Sequence, residues 1–144
     1  MPGQPRQHFL VEYIGDMTVV HFTDKKILDK PNIQEIGEQL FRLVDNLRRN
    51  KLVLDFGKVE YLSSAALGKL ITLQKKLKTV GGWLVLCNIE AKIHEVFKIS
   101  KLDKVFEIHQ KDKADAEGGL KRLITKLKSR PPADQAKSSS FPDE

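Results

Sequence analysis

The sequence predicts an α/β fold, in which a mixed β-sheet is covered by about four helices. Two observations support this prediction. The chain opens with two segments of alternating apolar and polar residues joined by a tight Gly-Asp turn, and short apolar segments then alternate with amphipathic helices. Segments joined by a tight turn pair as an antiparallel hairpin, whereas strands separated by a helix pair in parallel. A sheet that contains both kinds of pairing follows.

The predicted hairpin consists of strands at Phe9–Ile14 and Met17–Phe22, with Gly15-Asp16 as the turn. His8 and His21 lie in or beside these strands, whereas the other two histidines come much later in the chain, at no spacing typical of metal ligands. We therefore expect surface or rim histidines and no metal site.

The first helix is predicted from a capping box, because Glu35 follows Asn32 by three residues. Apolar residues then recur at helical spacing on one face: Ile33, Ile36, Leu40, Leu43, Val44 and Leu47. Asn50 is expected to end this helix in the left-handed conformation. The apolar run Leu52–Phe56 that follows is typical of a buried parallel strand.

The remaining elements continue the alternation of strand and helix. We predict a helix from Ala65 to Gly81-Gly82, a strand at Trp83–Cys87, a helix at Glu90–Ile99, a strand at Val105–Ile108 and a last helix at Asp115–Lys128. The domain is thus expected to span residues 8–128, after a flexible N-terminus at 1–7. Pro-Pro and a run of three serines mark 129–144 as a disordered tail.

Composition and charge argue against several classes of function. The net charge is +6, but the basic residues are spread along the helices among acidic ones and without clustered aromatics, so we expect no direct binding of nucleic acid. No segment resembles a signal peptide or a membrane span, and Cys87 is the only cysteine, so we expect a cytoplasmic protein. The common catalytic and phosphate-loop motifs are absent, so neither catalysis nor a cofactor is expected.

The most informative segment is the one that leads from the buried strand to Ser63 and Ser64 at the start of the second helix. A serine there accepts a hydrogen bond from a backbone N–H as an N-cap, and an anion there meets free N–H groups and the positive end of the helix dipole. From spacing alone, a simple cap and a phosphate-bearing site both remain open. Asp55, the carboxylate near the serines, is expected to be a hydrogen-bond acceptor at the strand end.

The stretch Leu54-Asp-Phe-Gly-Lys-Val-Glu-Tyr-Leu-Ser-Ser-Ala-Ala-Leu-Gly68, followed by Gly81-Gly82-Trp-Leu-Val-Leu-Cys87, resembles the STAS domain of anti-sigma factor antagonists. The resemblance runs from about His8 to Leu127 and implies a STAS-like fold. In that family, the first serine of an Asp-Ser-Ser/Thr-Gly-Leu-Gly motif is phosphorylated by the cognate anti-sigma factor, a Ser/Thr kinase of histidine-kinase-like fold. Aligned on Leu67-Gly68, that serine is Ser64.

The resemblance also implies partners and site residues. Unphosphorylated protein would bind the anti-sigma factor and free a sigma factor, and a Ser/Thr phosphatase would reverse the modification. Ser63 is the second candidate for phosphorylation, since it replaces the motif aspartate, and Ala65-Ala66 replaces Ser/Thr-Gly. The implied partner-binding residues are Ser63, Ser64, Ala65, Ala66, Asp24 and Lys25. Two alternatives are a STAS subunit of another assembly, such as a phospholipid-transport complex or a stress-signalling scaffold, and a nucleotide- or lipid-binding protein.

Overall fold

The structure, a computed structural model, describes residues 8–111 and 116–128. The predicted flexible N-terminus and tail lie outside these residues. The elements run in the order β1 (Phe9–Ile14), β2 (Met17–Phe22), β3 (Lys26–Ile27), α1 (Lys30–Asp45), β4 (Lys51–Asp55), β5 (Tyr61–Leu62), α2 (Ser64–Thr79), β6 (Trp83–Ile89), α3 (Ala91–Ile99), β7 (Glu107–Gln110) and α4 (Ala116–Lys128).

The main sheet has five strands in the order β1-β2-β4-β6-β7. The β1–β2 pair is antiparallel, and the other three pairs are parallel. The predicted mixed sheet is therefore confirmed. A second, two-stranded parallel sheet joins β3 to β5 and was not predicted, because each of its strands has only two residues.

Helices cover both faces of the main sheet. On one face, the apolar side chains of α1, α2 and α3 pack on inward-facing residues of the strands, including Val20, Leu54 and Leu86. On the other face, α4 packs on Met17, Val19, Val53, Val85 and Cys87. The central strands are buried on both sides, which explains why the sequence of β4 is apolar without alternation.

The first helix begins earlier than predicted. Its N-cap is Asp29, and Pro31 lies in the first turn, where its fixed φ and missing N–H suit the helix start. The predicted capping box is therefore wrong: Asn32 Nδ2 donates to the Asp29 carboxylate at 3.0 and 3.1 Å, inside the helix start. The residue in the left-handed conformation after the helix is Arg48 (φ 57°), and the expectation for Asn50 is also wrong.

Smaller shifts occur at other boundaries. β6 continues two residues beyond the prediction, through a bulge at which Asn88 has a φ of 56°. β7 begins at Glu107, two residues after the prediction, and the preceding Phe106 packs its ring edge-on against Phe97. α2 begins one residue before the prediction, at Ser64. Sequence periodicity locates an element but not its end residues.

His8 is buried, and the expectation of a surface or rim histidine is wrong for this residue. Its side chain is 0% exposed, with Nδ1 2.7 Å from Asp24 Oδ2 and Nε2 2.7 Å from Glu35 Oε1. These two carboxylates satisfy both ring nitrogens, so the ring is tolerated without contact with water. The contacts connect the start of β1 to the loop after β2 and to α1.

Candidate functional site

The sequence-predicted site residues meet at the edge of the sheet where the parallel strands end. Since each helix returns antiparallel to its strand, the N-termini of α1, α2 and α3 lie at this same edge. The small β3–β5 sheet joins the segment that carries Asp24 and Lys25 to the segment that leads to the serines. The amides of Glu60 and Tyr61 donate to the Lys25 carbonyl at 2.7 and 3.1 Å, and the Ser63 amide donates to the Ile27 carbonyl at 3.1 Å.

The two serines have different roles in the structure. Ser63 is the N-cap of α2: its Oγ accepts from the Ala66 amide at 3.2 Å, and its carbonyl accepts from the Leu67 amide at 3.1 Å. Ser64 is the first residue of the helix and is exposed, and its hydroxyl has no hydrogen-bond partner among residues 8–111 and 116–128. The capping function that the sequence allowed to either serine belongs to Ser63.

The alanines that follow differ in burial. Ala65 is exposed beside Ser64, whereas Ala66 is 6% exposed and faces an apolar cavity between α1, α2 and the sheet. The lining of this cavity is apolar apart from Lys69. A cavity with so few polar groups offers little to orient a cofactor.

Asp24 and Lys25 are neighbours with different environments. Asp24 is 9% exposed, and its carboxylate is directed at His8. Lys25 is exposed, and its backbone carbonyl is the acceptor that connects this loop to Glu60 and Tyr61. The side chain of this pair that reaches solvent is therefore that of Lys25.

Asp55 lies in a hydrogen-bond network behind the serine-bearing connection. Its Oδ1 accepts from the Gly57 amide and from Asn88 Nδ2, both at 2.9 Å, and its Oδ2 is 2.7 Å from His21 Nδ1. These contacts agree with the expected role of a strand-end acceptor. They also explain why Asn88 adopts a left-handed conformation, since this directs its amide at the carboxylate.

The environment of His21 and Cys87 affects how their side chains ionise. Burial on its own lowers the pKa of His21, but hydrogen bonds to Asp55 and to Glu12, whose Oε1 lies 3.0 Å from Nε2, outweigh burial and raise it. Burial raises the pKa of the Cys87 thiol, and the negative charge of Asp55, its register partner on β4, raises it further. Cys87 is thus held as a neutral thiol and not as a thiolate nucleophile.

Several exposed side chains beside the serines were missed by sequence reasoning. Leu28 and Tyr61 are 47% and 46% exposed, although both are large and apolar. The ring centroid of Tyr61 lies 5.5 Å from Lys26 Nζ and 4.7 Å from Lys92 Nζ. Sequence periodicity could have located these residues only through β3 and β5, and two-residue strands are too short to give a periodic pattern.

The described part of the chain has neither a candidate metal site nor a candidate membrane span. Over residues 8–111 and 116–128, no group of three or more His, Cys, Asp or Glu side chains is arranged to hold a metal ion. Within the same residues, none of the helices combines the length and the apolar character that crossing a bilayer requires.

Comparison with known proteins gives consistent results. The family model described as "STAS domain" matches residues 8–114. BtrV of Bordetella bronchiseptica, a protein assigned as an anti-sigma factor antagonist, is 33% identical over 90 residues, which are 62% of this chain and 77% of BtrV. A crystal structure from Thermotoga maritima, assigned in the same way, has a TM-score of 0.64 at 23% identity and covers 76% of this chain and 92% of its own.

The anti-sigma factor antagonist SpoIIAA in its unphosphorylated form also shares the fold. Its TM-score is 0.63 at 14% identity, with coverage of 85% of this chain and 99% of SpoIIAA. At this identity the likeness concerns the fold alone.

Proposed function

The chain belongs to the STAS domain family, and on that basis we propose that it is a cytoplasmic anti-sigma factor antagonist controlled by phosphate on Ser64. In its unphosphorylated form it binds an anti-sigma factor, a histidine-kinase-like Ser/Thr kinase, and thereby frees a sigma factor to direct transcription. Phosphorylation by that kinase ends the interaction, and a Ser/Thr phosphatase restores it. The protein acts by binding and not by catalysis.

The observation that carries this proposal is the exposed, unoccupied hydroxyl of Ser64. A kinase needs a serine whose Oγ reaches solvent and makes no competing hydrogen bond. Ser64 meets both conditions, whereas the Oγ of Ser63 accepts from the Ala66 amide and Ser63 is half-buried. The geometry therefore favours Ser64 over Ser63 as the acceptor, in agreement with its alignment in the family motif.

The start of α2 is also suited to carry the added phosphate. The first N–H groups of a helix have no intrahelical acceptor, and Ser63 supplies acceptors only to the amides of Ala66 and Leu67. The amides of Ser64 and Ala65 remain available, and the helix dipole favours negative charge at this end. Phosphorylation should therefore leave the domain folded.

The cost of the phosphate should appear when the partner binds. A phosphoserine carries about −1.5 to −2 charges at pH 7, and an interface that accommodates a serine hydroxyl must desolvate or exclude that charge. Each loss of about 1.4 kcal/mol weakens binding tenfold. The surface most affected comprises Ser63, Ser64, Ala65 and Lys25, with Ala66 packed beneath and Asp24 holding the loop of Lys25 in place.

Phosphorylation itself is tested with the cognate kinase and ATP. Wild type, Ser64→Ala and the matched control Ser63→Ala are incubated under the same conditions, and the phosphate is located by mass spectrometry. We expect label on Ser64 in the wild type and in Ser63→Ala, and none in Ser64→Ala. Label that persists in Ser64→Ala would move the site or refute the proposal.

The switch is tested by calorimetric titration of the anti-sigma factor. Ser64→Ala should bind as unphosphorylated protein does, and Ser64→Asp should lose most of the affinity while keeping a near wild-type melting temperature. Equal affinities for the two folded variants would contradict control through Ser64. Failure of the wild type to bind any anti-sigma factor would favour the alternative role in another STAS assembly.

A further inference from the structure

We infer that this protein binds an acidic segment of its partner through a surface formed by Lys26, Leu28, Tyr61 and Lys92, referred to below as the tyrosine–lysine surface. The inference rests on the proposed function in one respect, because it takes the partner to be the anti-sigma factor. Lys26 lies on β3, Leu28 directly follows that strand, Tyr61 lies on β5, and Lys92 lies at the start of α3.

The apolar part of the surface adjoins the serines. In the parallel β3–β5 sheet, Lys26 pairs with Tyr61, and the Ser63 amide donates to Ile27 and continues the ladder. Since side chains alternate along a strand, Lys26, Leu28, Tyr61 and Ser63 share one face. Leu28 and Tyr61 each expose nearly half of their surface on that face. Aromatic residues flanked by polar ones are typical anchors of protein interfaces.

The charged part of the surface surrounds the tyrosine. The ammonium groups of Lys26 and Lys92 lie 5.5 and 4.7 Å from the Tyr61 ring centroid, within the range of a cation–π interaction. Among residues 8–111 and 116–128, neither ammonium forms a salt bridge with a carboxylate. The tyrosine therefore holds in place two positive charges that pair with no carboxylate of residues 8–111 and 116–128.

Four acidic residues of this edge are already paired with basic side chains of the chain, while the exposed Asp29, which follows Leu28, accepts from Asn32 Nδ2. Asp24 and Glu35 contact His8, Asp55 contacts His21, and Glu90 lies 3.6 Å from Lys111. In segments 25–28 and 58–62, three exposed lysines are accompanied by a single carboxylate, that of the half-buried Glu60.

The start of α2 adds to the positive potential. It has no acidic residue in its first turn, where acidic residues are normally favoured, and its N-cap is Ser63, whereas α1 and α3 have the acidic N-caps Asp29 and Glu90. Lys92 lies in the first turn of α3, at the end of the dipole that disfavours a cation. Lys92 is thus unfavourably placed for helix stability, and its compensating contact is with Tyr61. An unfavourable residue at an exposed position indicates a functional reason for that residue.

The occupant that satisfies these features is a protein segment with carboxylates on both sides of an apolar side chain. The apolar side chain packs against Leu28 and Tyr61, and the carboxylates pair with Lys26 and Lys92. A phosphate on Ser64 would then repel the same segment, since both carry negative charge. The switch would act through charge as well as through desolvation.

Site-specific photocrosslinking tests the inference in the cells from which the protein comes. The photoreactive residue p-benzoylphenylalanine replaces Leu28, which leaves Tyr61 and the lysines intact, and the crosslinked segment is identified by mass spectrometry. The charge-reversal variant Lys26→Glu/Lys92→Glu is compared with the matched control Lys75→Glu/Lys98→Glu, whose lysines are exposed elsewhere on α2 and α3. We expect crosslinking to a carboxylate-rich segment, reduced about tenfold or more by the first pair and retained in the control.

The outcomes separate this inference from the proposed function. Such a crosslink to an anti-sigma factor supports both, and such a crosslink to another protein supports the surface while refuting the anti-sigma partner. Crosslinking to a second copy of the chain, to nucleic acid or to a segment without carboxylates overturns the inference, as does its absence or an equal yield in both variants. The kinase and titration experiments on Ser64 judge the proposed function independently.

Discussion

Replacing each of the two adjacent serines by alanine should have opposite consequences for stability and for switching. Ser63→Ala removes the Oγ that accepts from the Ala66 amide and leaves that donor without its cap. Ser64→Ala removes a hydroxyl that makes no hydrogen bond in the described part of the chain. Ser63→Ala should therefore destabilise the domain and keep the phosphorylation site. Ser64→Ala should leave the stability near that of the wild type and remove the phosphorylation site.

The magnitude follows from the geometry of the cap. Loss of an N-cap serine costs about 0.5–2 kcal/mol, and the 3.2 Å bond from Ala66 places Ser63 near the middle of that range, at about 1 kcal/mol. For a domain of this size, that loss lowers the melting temperature by roughly 3–5 °C. Ser64→Ala exchanges serine for a better helix former at an exposed position, so its stability should change by less than about 0.5 kcal/mol.

Urea unfolding followed by the fluorescence of Trp83, the only tryptophan, and by circular dichroism gives both values. The slope of the free energy of unfolding against urea concentration should be the same in all three proteins, because the surface exposed on unfolding does not change. Destabilisation by Ser64→Ala with no effect of Ser63→Ala would show that Ser64 is the cap. The assignment of the exposed serine to the switch would then lose its basis.

Three further predictions concern residues outside the serine pair. Gly82→Ala should cost about 1–3 kcal/mol in urea unfolding, since a Cβ there would overlap the backbone carbonyl of Asn50. Gly68→Ala should instead add about 0.5–1 kcal/mol, because a Cβ there meets no atom within 4 Å and glycine is unfavourable inside a helix; no gain in the same assay would contradict this. The raised pKa of His21 means that its stabilising effect is complete below its ordinary value of 6.5 and is lost as pH rises through the raised value. The stability difference between wild type and His21→Gln should accordingly be largest near pH 5.5 and shrink toward pH 8.5, and a constant difference would exclude this origin.

The sequence predicts the elements of the main sheet because long-range packing and local pattern agree there. The buried face of α1 and the apolar run of β4 each extend over several residues, and both elements form where the pattern indicates. The start of α1 was misplaced because the adjacent residues Pro31 and Asn32 give competing signals, proline for the first turn and asparagine for the N-cap. The β3–β5 sheet was missed because two-residue strands have no periodicity, and their pairing depends on parts of the chain that meet only after folding.

The candidate site was predictable in position but not in detail. The two serines at a helix start were recognisable from the strand and helix around them, yet only coordinates could show which of them is the cap. His8 could not be assigned from sequence, because its carboxylate partners are 16 and 27 residues away. The tyrosine–lysine surface likewise combines residues from three separate segments, so no local pattern predicts it.

The placement of Cys87 makes the chain its own reporter of conformational opening. The thiol is 1% exposed beneath α4, and its raised pKa suppresses the reactive thiolate, so alkylating reagents can modify it only after α4 moves off this face of the sheet or β6 separates from its neighbours. Its labelling rate in native buffer therefore measures the opening equilibrium of this face of the sheet. If phosphate on Ser64 acts at the interface and leaves the domain intact, the phosphorylated and unphosphorylated proteins should be alkylated at the same rate.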